Sequence, residues 1–167
     1  YPKIIVAISQ GLADKFEDKN VVVARDCVDL EMFSSSVDKI KAKEKFFTHH
    51  FEGHRRKKIA VYIGHLYTWK GADILTSVAE YLKQYNVNFL VWIVGGTDKD
   101  VETLERGMHP NVVPFIYLHG SVLHKDVAKI LVAADCAILT GKETDIVSAK
   151  YTSPLKMFEY MASGCPI

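Results

Sequence analysis

Little in this 167-residue chain is extreme, and each shortage closes off a class of protein. Its three cysteines, Cys27, Cys136 and Cys165, are far apart and odd in number, so a disulfide framework is not expected and a reducing compartment is. Charge of one sign is missing too. The 21 Lys and Arg against 20 Asp and Glu leave a formal net charge of +1, mixed along the chain, so no overall field gathers nucleic acid. Any bound anion must be held locally. The longest apolar runs, such as FLVWIV from Phe89, fall well short of the ~20 residues that a membrane-spanning helix needs, and no signal peptide opens the chain. A cytoplasmic location is therefore expected. There is no Gly-x-Gly-x-x-Gly, which disfavours an ordinary dinucleotide site, and no internal repeat or low-complexity tract.

What is present is an alternation. The runs IIVAI from Ile4, VVVA from Val21, IAVYIG from Ile59, FLVWIV from Phe89, VVPFIYLHG from Val112 and CAILT from Cys136 are continuously apolar, as strands covered on both faces must be. Helical period fills the gaps between them. GADILTSVAEYLKQY repeats Ile74, Val78, Leu82 and Tyr85, with Leu75 and Ala79 alongside. A second helix is expected from a cap near Asp98, turning Val101 and Leu104 inward and ending at Gly107. A third places Val127, Ile130, Leu131 and Ala134 on one stripe. The pattern predicts an α/β fold: a Rossmann-like parallel sheet with right-handed crossovers and helices on both faces. The polar, charged stretch from Ser34 to the basic run at Arg55–Lys58 reads as a connection, partly helical, between a short N-terminal piece and a larger α/β block.

Ligands of open parallel sheets bind beyond the carboxyl ends of the strands, so the loops there carry the candidates. In GHLYTWKG, Gly64 permits a tight turn, while His65 and Lys70 precede a helix expected near Gly71, a setting that suits a phosphate or is a plain turn with Lys70 in solvent. Gly95 and Gly96 allow close backbone approach before the next helix. His119, Gly120, Ser121 and Val122 could edge a base pocket, although a histidine at a strand end also serves structure alone. In YTSPLKMFEYMASGCPI, Ser153 is a good N-cap, Pro154 fits the first helical position, and Gly164 and Pro166 stop the helix. Leu155, Phe158 and Ala162 share one stripe, with Glu159 about 40° from Leu155. A desolvated carboxylate there needs donors. A ribose 2′,3′-diol would supply two; a lysine or a backbone amide is the plainer alternative.

SPLKMFEYMASGCPI resembles the donor-site helix of family 4 glycosyltransferases with the GT-B fold, and YIGHLYTWKG resembles the first loop of their nucleotide-sugar domain. VGG and LHGSV fall between them in matching order, while AISQGLADKF and VVVARDCVDLEMF look like the end of an acceptor domain and the crossover out of it. The resemblance implies residues 1–33 as acceptor-domain end and crossover, 34–57 as charged connection, and 58–167 as an incomplete nucleotide-sugar-binding domain, the donor half of a truncated GT-B fold. It implies metal-free transfer of a sugar, with retained anomeric configuration, from a nucleotide diphosphate sugar to a glycan or lipid-linked acceptor. Lys70 would then neutralise the diphosphate and Glu159 would bind the ribose hydroxyls. The N–H groups of Leu155 and Lys156 would contact phosphate or sugar, with Gly64, His65, Gly95, Gly96, His119, Gly120 and Val122 completing the donor site. Such a fragment is expected to be inactive without its acceptor domain.

Two positions depart from the family. Tyr151 stands where a second glutamate is usual, and His65 where an arginine is, which clamps a diphosphate less firmly. A noncatalytic nucleotide-sugar-binding module and a GT-B nucleotide-sugar epimerase therefore stay open as alternatives. His49, His50 and His54 are spaced closely enough for zinc, but no cysteine or acidic set completes a site and a solvated linker is expected. Arg55, Arg56, Lys57 and Lys58 either touch an anionic membrane surface or simply keep the connection soluble.

Overall fold

The computed structural model describes residues 3–16, 19–33, 38–49, 57–67, 70–141 and 144–167, with the backbone alone at 45–49. In chain order the elements are β1 (Ile5–Ala7), α1 (Gln10–Ala13), β2 (Val21–Val23), α2 (Leu30–Phe33), α3 (Lys39–His49), β3 (Lys58–Ile63), α4 (Ile74–Gln84), β4 (Phe89–Val94), α5 (Asp98–Gly107), β5 (Ile116–Gly120), α6 (His124–Ala133), β6 (Cys136–Ala137) and α7 (Leu155–Ala162). A 3-10 turn at Val113–Phe115 leads into β5, and a π-helical turn at Val147–Tyr151 precedes α7.

Among the described residues all strand pairs are parallel and form two sheets, β1-β2 and β5-β4-β3-β6. From Ile59 and Phe89 onward the central strands of the larger sheet are continuously hydrophobic, as cover by helices on both faces requires. Ile59, Val61, Leu90, Trp92 and Val94 pack with α6 residues Val127, Ile130 and Leu131 and with Phe33 and Tyr160. The alternate residues Tyr62, Val91 and Ile93 pack with Leu75 and Ala79 of α4 and with Met108, Val112 and Ile116. The strand period of two sorts the side chains between these layers. Each fully buried Val, Leu or Ile contributes about 1.5–3 kcal/mol, so the two layers hold the sheet.

Local chemistry moves several boundaries. The strand expected from Val112 begins at Ile116, because Pro114 opens the 3-10 turn and has no N–H for a ladder. Helix α4 starts at Ile74 rather than near Gly71, and its buried centre is Leu75 and Ala79, leaving Ile74 and Tyr85 exposed. Thr97, not Asp98, caps α5: its hydroxyl accepts from the Asp100 amide while the Asp100 carboxylate accepts from the Thr97 amide. Met108 is the C-cap of that helix, and Gly107 lies inside its last turn.

The charged connection contains α3, which packs against α6. Ala42 is buried, and Lys43 Nζ lies 2.6 Å and Lys39 Nζ 3.8 Å from Asp135. Asp135 Oδ2 also accepts the Ile59 amide at 2.8 Å, joining α3 to the edge of β3. Burial pushes the Asp135 carboxyl up, but Lys43, the Ile59 amide and Lys39 together outweigh it and hold the group below its ordinary value.

Candidate functional site

Beyond the carboxyl ends of β3 and β4, closed on one side by α7, is a cleft of about 440 Å3. Of the residues expected from the sequence, Gly64, His65, Gly95, Gly96, Val122, Leu155, Lys156 and Glu159 line it, joined by Ser121, Thr97 and His124. Lys70, His119 and Gly120 are not in the lining. The loops after β3 and β4 approach closely there. Gly64 (φ +148°) and Gly95 (φ +125°) hold backbone conformations that side chains rarely adopt. A Cβ on Gly95 would collide with the Gly64 carbonyl oxygen. The Gly95 amide instead donates to Gly120 O at 2.6 Å, where a register shift in the β4–β5 ladder sets Gly120 opposite Val94.

Helix α7 is rotated relative to the expected stripe. Its buried residues are Glu159 and Tyr160, while Leu155 and Met161 are exposed and Phe158 and Ala162 are half-buried. Tyr160 sets this rotation: it is fully buried in the core, and its hydroxyl accepts the Ile63 amide at 3.3 Å, where β3 ends. Burial drives the Tyr160 hydroxyl strongly upward, which keeps it neutral. Glu159, 6 % exposed, therefore lies on the buried face itself rather than at its edge. Its partner is neither a lysine nor an amide, for His124 Nε2, at the start of α6, lies 2.7 Å from Glu159 Oε1.

The ends of α7 also differ from expectation. Ser153 does not cap the helix; its hydroxyl accepts the Asp26 amide at 3.2 Å, tying the segment after β2 to the approach of α7. Pro154 occupies the N-cap position without a side-chain bond, and the Leu155 amide donates to Ser153 O at 2.9 Å, so that N–H is engaged locally. The C-terminus closes as anticipated: Gly164 (φ +69°) donates to Met161 O, and Cys165 donates to Tyr160 O.

Lys156, which the sequence suggested for its amide, presents its side chain to the cleft. Its Nζ donates to Tyr62 Oη at 3.2 Å, and a Cβ on Gly64 would collide with it. Burial, then the Lys70 charge, lower this ammonium to about 8, with Glu159 opposing them. Lys70 is itself lowered by burial, and its carbonyl oxygen accepts from Thr140 at 2.5 Å. A turn from Lys70 to Asp73 separates it from α4, so it does not stand at the helix N-terminus. The His65 ring stacks on Tyr67 at 5.0 Å, and its backbone oxygen accepts from Tyr62 Oη at 2.8 Å. His119 packs instead against Trp92 and Tyr117, and the Tyr151 ring lies 4.1 Å from Lys15 Nζ.

Sequence reasoning did not find His124, Tyr62 or the Lys156 side chain as site groups. His124 and Glu159 are 35 positions apart, with no shared spacing to link them. Tyr62 reads as one more apolar residue of its strand. The histidine cluster is outside what can be placed: His50 and His54 are not among the described residues, nor is the His49 side chain. Among the described residues no group of three or more His, Cys, Asp or Glu could hold a metal, and no helix is long and apolar enough to cross a membrane. Of the basic run, Arg55 and Arg56 are not described, and Lys57 Nζ lies over the Phe115 ring at 4.5 Å while donating to Pro114 O.

Comparison with known proteins bears on this arrangement. Anabaena HepE, in a crystal structure with UDP and glucose, superposes with a TM-score of 0.74 at 17% identity, covering 99% of this chain and 44% of that one. Sucrose-phosphate synthase from Thermosynechococcus elongatus gives 0.70 at 17% identity, covering 99% and 40%. WaaG, a glycosyltransferase involved in lipopolysaccharide biosynthesis, gives 0.66 at 15%, covering 96% and 42%. The chain thus spans less than half the length of these structures, and at such identities the likeness carries the fold, that of GT-B glycosyltransferases. No curated protein sequence matches the chain. The sequence pattern of one family, described as Glycosyl transferases group 1, matches residues 57–167, from the start of β3 through α7, which is the whole of the larger sheet and its cleft. On that match the chain belongs to the glycosyl transferases group 1 family.

Proposed function

We propose that this chain is the donor-binding part of a retaining glycosyltransferase that takes a hexosyl group from a nucleotide diphosphate sugar. The observation that carries this reading is the presence, on one turn of α7, of the buried Glu159 carboxylate and the cleft-facing Lys156 ammonium, on which the Lys70 charge also acts. A nucleoside diphosphate has the complementary pattern, two hydroxyl donors at one end and two anionic phosphates at the other. Glu159 binds the ribose diol, His124 giving up or sharing its oxygen, and Gly64, Gly95 and Gly96 let the ligand approach the backbone. The charge that develops on the leaving phosphate is met by the lysine side, the main electrostatic task of the transfer. Side-chain cations supply that charge, so the reading includes no metal, and added EDTA leaves donor binding unchanged. The UDP and glucose in the HepE structure support a nucleotide-sugar donor.

The acceptor in this reading is a glycan or a lipid-linked saccharide, reached at a membrane surface and bound by protein outside residues 1–167, so the chain alone binds donor without transferring sugar. Calorimetry with UDP, GDP and ADP sugars tests the core of the proposal. One nucleotide class binds, and Glu159→Ala weakens it; a folded chain that ignores the whole panel refutes the reading.

A further inference from the structure

The Lys156 side chain has a geometry that a structural lysine does not need. It leaves α7 one turn before Glu159 and ends in the slot left by the absent side chain of Gly64. There its Nζ lies 3.2 Å from Tyr62 Oη and 4.3 Å from the centroid of the Tyr62 ring. The charged groups acting on it are Lys70, from the loop after β3, and Glu159, from its own helix. His65 from the same loop and His124 from α6 line the same cleft, and His124 is engaged with Glu159. Burial and the Lys70 charge both disfavour the Lys156 ammonium, and a phenol is a weak partner for a half-buried cation. An anion seated beside the Lys156 ammonium would offset both costs.

We infer that the Lys156 side chain, with Lys70 as its companion cation, is a direct ligand of the donor's diphosphate, seated in a slot that glycine at position 64 leaves open. This rests on the donor-site reading above and adds to it a second phosphate ligand from the helix that carries the ribose-binding carboxylate. It also couples binding to protons. The empty site holds the Lys156 amine at about 8, and a bound diphosphate raises that value, so above this pH the neutral amine takes up a proton as the ligand arrives. Affinity for the diphosphate then weakens toward about tenfold per pH unit above that point.

The test uses the 167-residue chain and calorimetry with UDP, GDP and ADP, each beside its own nucleoside. For the pair that binds, Lys156→Met and Lys156→Gln should each weaken the nucleoside diphosphate about 10–100-fold at pH 7 and leave the nucleoside within about twofold. In buffers of different ionisation enthalpy at about pH 9, the wild type should take up close to one proton more than either variant; uptake remaining in the variants belongs to Lys70. Gln retains a polar contact to Tyr62 without the charge, so it separates loss of the cation from loss of packing. Equal weakening of nucleoside and diphosphate, no weakening of the diphosphate, or unchanged proton uptake overturns the inference while the donor-site reading stands. A wild-type chain that binds none of the panel overturns both.

Discussion

The chain builds two parallel sheets from nearly the same kind of sequence, and they end up in opposite surroundings. In β3 and β4 the residues from Ile59 to Ile63 and from Leu90 to Val94 are all buried. In β1 and β2 the equally apolar Val6 and Val22 are 64% and 49% exposed. A run of Val and Ile states that a strand would tolerate cover on both faces; it does not say that cover is there. The larger sheet receives α4 on one face and α6 on the other, whereas, among the described residues, the helix that chiefly packs on the three-residue ladder of the small sheet is the short α1. The cleft lies at the carboxyl edge of the covered sheet, where the ends of the strands give two glycine turns a fixed place to meet.

The sharpest way to break this contrast is to cut into each sheet and compare stabilities. Trp92→Ala, in the covered sheet, should lose about 3–5 kcal/mol in chemical denaturation. Next comes Lys156→Met, which relieves a buried cation. The ordinary value of the amine is 10.5 and its folded value about 8, so between those values the unfolded chain holds a proton that the fold has shed. Stability contributed by this group therefore rises with pH across that window, and below about pH 8 the full cost of the buried charge is present. Lys156→Met should add on the order of 2 kcal/mol at pH 7 and flatten the climb from about pH 8 to 10 relative to wild type. Loss of stability, or an unchanged slope, would mean that the ammonium is better compensated than its surroundings indicate.

Binding is expected to respond at the covered edge alone. Glu159→Ala should weaken the bound nucleoside about 10–100-fold, from the loss of charge-assisted hydrogen bonds worth about 1.5–3 kcal/mol. Equal affinities of mutant and wild type for a ribonucleoside in calorimetry would sink the carboxylate's role. Smallest of all, Val22→Thr on the open sheet should change stability by no more than about 0.5 kcal/mol. A larger loss in the denaturation curve would show that this face is covered after all.

Strand and helix identities were largely legible because period and β-branched content are local properties. The same holds for Gly64, Gly95, Gly96 and Glu159, whose chemistry is unusual for the turns and the helix that hold them. What escaped was set by contacts at long range. Ser153 has the composition of a cap, but the Asp26 amide, 127 positions away, competes for its hydroxyl and wins. The buried face of α7 is not legible from a stripe counted from Leu155, because the anchor that Tyr160 makes with Ile63 sets the rotation. Pro114 lies inside a run that otherwise reads as strand, and its missing N–H is the local signal that the strand starts later.

By itself the sequence determined the alternation of strands and helices, the turns that only glycine permits, and the presence of one carboxylate where apolar residues were due. The tertiary structure decided which apolar strands are covered, how far α7 is rotated, and that His124 and Lys156 gather with Glu159 around one cleft. The reason is one of range. Backbone period and φ preferences act between near neighbours, while burial and charge act between groups that only the packed sheet brings within a few ångströms.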